Sequence, residues 1–92
     1  MNSIEHFIDG KTLKGSSKRT AKVFNPATGD VSSNVNLASR ADLNKAVEVA
    51  KKAFPSWSQK TPLFRARILF KFKELIEKNY DELTKIIVSE HG

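Results

Sequence analysis

The sequence predicts an α+β fragment: a β ribbon of about three strands over residues 1–38, followed by three helices over residues 39–92. Three observations predict it. Turn-forming and β-branched residues dominate the first part. A helical period of three and four takes over near Ser39. The chain also carries more apolar stripe than 92 residues can hide in their own layers.

Within the first part, Phe7-Ile8 and Lys11-Thr12-Leu13 flank Asp9-Gly10, a pair that supplies the positive φ angles of a two-residue hairpin turn. Gly15 to Arg19 is a polar connection, and Thr20 to Phe24 reads as a strand with Val23 and Phe24 as its apolar members. Asn25-Pro26-Ala27-Thr28-Gly29 reverses the chain: proline presets φ, the asparagine side chain bonds the backbone ahead, and glycine accepts a left-handed exit. Val31, Ser33, Val35 and Leu37 then alternate with Ser32, Asn34 and Asn36, the period of a half-exposed strand.

Ser39 and Asp42 stand at capping-box spacing before Leu43, Ala46, Val47, Ala50, Ala53 and Phe54, which predicts a helix that ends or kinks at Pro55. Trp57 just beyond is expected to plug the junction between elements. Thr61-Pro62 starts a second helix with the stripe Ile68, Leu69, Phe72, Leu75 and Ile76. Asn79 reads as a left-handed stop, and Asp81 as the cap of a third helix carrying Leu83, Ile86 and Ile87.

Composition excludes several functions for these residues. There is no cysteine, so disulfides, thiolate zinc sites and thiol nucleophiles are all absent. His6 and His91 lie at opposite ends of the chain, too far apart in sequence for ligand spacing. No serine sits in a Gly-x-Ser-x-Gly elbow, and no glycine-rich loop has phosphate-binding spacing. Glu74, Glu77, Asp81 and Glu82 stand among Lys71, Lys73, Lys78 and Lys85, a pattern of surface pairs rather than of acid–base catalysis. The expected site inventory is therefore empty: no catalytic, cofactor-binding or metal-binding residue. Arg65, at a helix start where its charge does not favour its own dipole, is expected to clamp a carboxylate or carbonyl elsewhere.

The net charge of +6 raises an alternative, an autonomous small basic domain that binds nucleic acid or protein. Its distribution weakens that reading. Lys11, Lys14, Lys18, Arg19 and Lys22 crowd the ribbon, where lysines discourage edge pairing. The basic residues of Phe64-Arg65-Ala66-Arg67 and Phe70-Lys71-Phe72-Lys73 flank a core stripe at helical spacing. Nucleic acid is not the expected partner. The longest apolar runs are a few residues, far short of a membrane span, and the start resembles neither a secretory signal nor a transit peptide, so a cytoplasmic location is expected.

Several pieces in order resemble the N-terminal pattern of the aldehyde dehydrogenases: Phe7 to Lys11, Val23 to Val31, Ala46 to Trp57, Arg65 to Leu69, and Asp81 to Gly92. The Phe-Asn-Pro-Ala-Thr-Gly turn, the Arg-Ala-Arg-Ile-Leu-Phe stretch and the closing Glu-His-Gly are most similar to the CoA-acylating methylmalonate-semialdehyde dehydrogenases. The resemblance implies a larger α/β fold of which these residues begin the cofactor-binding domain. It also implies a parent chain that uses NAD and coenzyme A, and assembly into a homo-oligomer. The catalytic cysteine, general-base glutamate and glycine-rich cofactor motifs of that pattern all fall beyond Gly92. This segment is accordingly expected to be inactive alone, to bind no cofactor, and to have the remainder of its own chain as partner.

Overall fold

The computed structural model describes residues 2–92. Five short strands precede three helices: β1 (Asn2–Ile4), β2 (His6–Ile8), β3 (Lys11–Leu13), β4 (Thr20–Phe24), β5 (Val31–Asn36), α1 (Arg40–Ser58), α2 (Pro62–Lys78) and α3 (Tyr80–His91). The strands form two sheets. β2 and β3 make the expected antiparallel hairpin, with Asp9 and Gly10 at φ of 56° and 71°, both positive as its tight turn requires. The second sheet has the order β1-β5-β4.

β4 and β5 pair antiparallel across the Asn25–Gly29 turn, with an irregularity in register between Val23 and Phe24. The turn is held as its residue types dictate. The Ala27 N–H donates to Asn25 Oδ1 at 2.9 Å, the Gly29 N–H donates to the Asn25 carbonyl at 2.7 Å, and Gly29 leaves at φ 80°. β1 was not legible in the sequence. It pairs parallel with β5, Ile4 opposite Val35, so the chain start returns to lie beside a strand thirty residues on. That pairing is made by backbone groups, and Asn2-Ser3-Ile4 carries no alternation to announce it.

α1 starts on a complete capping box. The Asp42 N–H donates to Ser39 Oγ at 3.1 Å and the Ser39 N–H donates to Asp42 Oδ2 at 2.9 Å. Of the two outcomes expected at Pro55, an end is not what occurs: the helix continues through Pro55 to Ser58, so Trp57 lies inside it rather than beyond it. Proline removes one donor, but the Gln59 N–H still reaches the Pro55 carbonyl and the Lys60 N–H that of Trp57, closing the last turn.

Thr61 caps α2 through the Phe64 N–H at 3.1 Å, with Pro62 at the first helical position. Asn79 is not left-handed. At φ −107° it ends α2 and begins α3 at once, and its side-chain amide donates back to the Leu75 carbonyl at 2.8 Å. With Asn79 in that place, Asp81 is not the cap but an acidic residue of the first turn of α3, where the helix dipole favours it.

The packing is thin. Ser33, in the middle of the central strand β5, is the one buried residue among those described, and none of their apolar side chains is buried. The molecule exposes 7945 Å², against roughly 5,400 Å² for a compact monomer of this mass. Its radius of gyration is 16.9 Å, where about 12 Å would describe a packed domain of this length. The described residues form a slab of 47 × 35 × 16 Å with no buried apolar side chain at its centre.

Candidate functional site

Two surfaces gather residues with something to do. The first is a polar junction where the β2–β3 hairpin and the connection after it meet the start of α1. The capping box of α1 serves both sides of it. The Ser16 N–H donates to both Asp42 carboxylate oxygens at 3.1 Å, and Ser16 Oγ lies 2.6 Å from Ser39 Oγ. Two backbone N–H groups, those of Ser16 and Ser39, thus converge on one carboxylate. The backbone N–H of Ser39, then that of Ser16, hold the Asp42 carboxyl down from 3.8 to about 2.

Gly15 makes this approach possible. At φ 82° it occupies the left-handed region, and a Cβ on it would come 2.7 Å from Asp42 Oδ2 and 2.8 Å from His6 Nε2. Further hydrogen bonds tie the strands to the same place: Asn36 Nδ2 donates to the Lys14 carbonyl at 3.1 Å, and the Arg19 guanidinium donates to the Ala38 carbonyl at 3.0 Å. His6, Ile8, Leu13, Lys14, Gly15, Ser16, Asp42 and Lys45 line a shallow cleft of about 270 Å³ at this junction.

Ser16, His6 and Asp42 are the residue types of a hydrolytic triad, but their geometry is not that of one. His6 Nε2 is buried without a hydrogen-bond partner, and the Ser16 hydroxyl is engaged by Ser39. Nothing in sequence spacing pointed to this gathering, because 36 positions separate His6 from Asp42 and only the fold joins them.

The second surface is apolar. α1 turns a narrow side, Asp42, Ala46 and Val49, inward, while the stripe read from its sequence stands open: Leu43, Val47 and Phe54 are 59%, 58% and 66% exposed. Phe72, Leu75, Ile76, Leu83 and Ile86 line an open groove of about 350 Å³ between α2 and α3, together with the polar Asn79 and Glu82. The polar flanks behave as their spacing predicts, with Lys71–Glu74 at 3.4 Å and Lys73–Glu77 at 3.6 Å, both exposed. Arg65 is half-buried, yet its Nε has no partner among the described residues, so the expected clamp is not made within this segment.

The N-terminus of α1 is already filled by its own carboxylate, which repels a phosphate, and that of α2 carries a proline and no glycine-rich loop. Among the described residues no three of His, Asp and Glu converge where a metal ion could sit. Among the described residues no helix is long and apolar enough to cross a membrane. The two surfaces offer a hydrogen-bonded junction and an open apolar face.

The chain was compared with known proteins. The model of the aldehyde dehydrogenase family matches residues 13–92. A malonate-semialdehyde dehydrogenase of Halalkalibacterium halodurans is 42% identical over 90 residues, 97% of this chain and 18% of the relative. One of Pseudomonas aeruginosa is 40% identical over 92 residues, all of this chain and 18% of the relative. Among solved structures, an assigned methylmalonate-semialdehyde dehydrogenase of Sinorhizobium meliloti in complex with NAD superposes with a TM-score of 0.96 at 49% identity, over all of this chain and 19% of that one. The methylmalonate-semialdehyde dehydrogenase of Oceanimonas doudoroffii gives 0.94 at 42% identity, again over 19% of its length. The chain therefore spans about a fifth of the length of the relatives it matches.

Proposed function

Because the chain belongs to the aldehyde dehydrogenase family, we propose that it is the N-terminal structural portion of an NAD-dependent, CoA-acylating methylmalonate-semialdehyde dehydrogenase. The whole protein oxidises a semialdehyde to an acyl-CoA, in the cytoplasm and as a homo-oligomer. One observation carries the reading: all five strands and three helices superpose, at 49% identity, on the corresponding fifth of an enzyme solved with NAD.

The role of these residues follows from their surfaces. The open stripe of α1 and the groove between α2 and α3 receive the remainder of the chain, and together they form the beginning of its cofactor-binding domain. The unsatisfied Arg65 Nε gives that remainder a polar anchor, since a buried donor left alone costs about 1–3 kcal/mol. Nucleophile, general base and NAD cradle lie outside these 92 residues. NAD accepts the hydride of the aldehyde when bound there.

The test is the full-length protein, assayed for NADH formation with methylmalonate semialdehyde in the presence and absence of coenzyme A. Aldehyde-dependent NADH with a CoA thioester as product is the expected outcome, and the 92-residue segment alone should give none. NADH formation with only free acid as product would remove the acylating assignment. No aldehyde-dependent reduction of NAD at all would remove the whole reading.

A further inference from the structure

Arg65 carries its charge where charge is least expected. It stands three, four and seven positions before Ile68, Leu69 and Phe72, so all four share one face of α2 and the arginine belongs to the apolar stripe. Those three neighbours are 45%, 59% and 59% exposed, a face left open in this segment. The Arg65 side chain is itself half-buried, and its Nε is shut off from solvent without a hydrogen-bond partner. Arg67, Lys71 and Lys73 differ: they are exposed and line a polar face of the same helix with Glu74 and Glu77.

No carboxylate among the described residues serves Arg65. Glu74 and Glu77 are taken by Lys71 and Lys73, at 3.4 and 3.6 Å, and the first turn of α2 holds no acidic residue. The helix dipole adds partial positive charge at the same end, which deepens the local want of an anion.

We propose that in the full-length protein Arg65 is paired by the carboxylate of an aspartate or glutamate beyond Gly92, brought in as the remainder of the chain covers the stripe of α2. This pairing rests on the proposed function, which supplies the further chain: the present residues are 18–19% of the relatives' length. Arginine is not deprotonated in proteins. Covering it with apolar chain therefore takes a full charge out of water, a cost that a carboxylate neutralises and a backbone carbonyl does not. The planar fork of N–H groups also matches a carboxylate two bonds at a time. The net charge of +6 points the same way, because a chain docking on this segment meets a basic surface.

A crystal structure of the full-length protein tests the pairing directly. A carboxylate oxygen from a residue beyond Gly92 of the same subunit is expected within about 3 Å of an Arg65 guanidinium nitrogen. A carbonyl, a water, a bound anion or a group of another subunit in that place would overturn the pairing and leave the proposed function standing, since aldehyde-dependent NADH formation judges that separately. Arg65 left in open solvent would overturn it too. In solution, Arg65→Gln, the amide variant of the facing carboxylate and the double variant are compared by their unfolding rates in urea. Each single change should speed unfolding about a hundredfold or more, and the double should be no faster than the faster single. Added salt of about 1 M should leave these ratios unchanged, because a buried pair is poorly screened. Additive effects, or a loss that vanishes in salt, would overturn the buried pair. If a single variant does not accumulate as folded protein, the contact seen in the wild-type crystal decides.

Discussion

At the scale of single residues, Gly15 and Gly29 make a controlled pair. Both are left-handed, at φ 82° and 80°, but a Cβ at Gly29 meets open space while one at Gly15 meets a carboxylate and an imidazole. Gly29→Ala should cost the left-handed backbone penalty alone, about 1–2 kcal/mol. Gly15→Ala adds overpacking and should cost about 2–5 kcal/mol, read as denaturant midpoints in the full-length protein. Asp42 gives a second prediction, with its sign fixed by its lowered pKa. A carboxyl held at about 2 against an ordinary 3.8 stabilises the junction fully above about pH 5 and loses that contribution as pH falls toward 2. Asp42→Asn should therefore raise hydrogen exchange around Ser16 and Ser39 at pH 7, and the gap to wild type should narrow as pH falls below about 4 and close only below about 2. Sequence spacing alone revealed the capping box, because Ser39 and Asp42 are three positions apart. It could not reveal that Ser16 and His6 join them, since that depends on where the hairpin lies.

At the scale of elements, most of what the local residues dictate is present: the Asp9-Gly10 hairpin, the Asn25–Gly29 turn, the cap at Ser39 and the proline start of α2 all form where their residue types place them. The departures occur where local signals compete. Pro55 usually stops a helix, but here the flanking hydrogen bonds carry α1 one further turn. Asn79 favours a left-handed stop, but two helices share it at a bend and its side chain is spent on Leu75. Stripe assignment shifted too, since α1 turns Ala46 and Val49 inward and leaves Val47 open. Under the proposed function the open stripes are core positions of the parent enzyme. Phe72→Ala, in the groove between α2 and α3, should then cost the full-length protein about 3–5 kcal/mol. Lys73→Ala, one position away on the flank, should stay within about 0.5 kcal/mol. Equal, small effects of the two in thermal unfolding would show that nothing covers the groove.

At the scale of the whole molecule, the decisive quantity is the apolar area left open. Phe7, Phe54, Phe70 and Ile87 are each about two-thirds exposed or more, and no apolar side chain is buried among the described residues. A slab of this kind has little hydrophobic free energy with which to offset the conformational entropy of ordering 92 residues. The isolated segment should show no cooperative thermal transition as a monomer and should bind a hydrophobic dye or self-associate. Light scattering with calorimetry checks this, and a sharp transition from a clean monomer would contradict it. The surplus of apolar stripe was legible from the sequence, because three amphipathic helices and a ribbon cannot all cover one another at this length. Which side of each helix would remain open was not, because that depends on contacts absent from these residues.

The parallel pairing of β1 with β5 sets the order in which such a chain can be made. Residues 2–4 have no partner until residues 33–35 have been synthesised, and the helices that follow emerge with their stripes bare. At roughly 5–20 residues per second, a polypeptide of the relatives' length would carry this slab uncovered at the ribosome exit for tens of seconds. The lysines along the early strands stand where strand edges are open during that interval, and lysine on an open edge discourages pairing with a neighbouring copy.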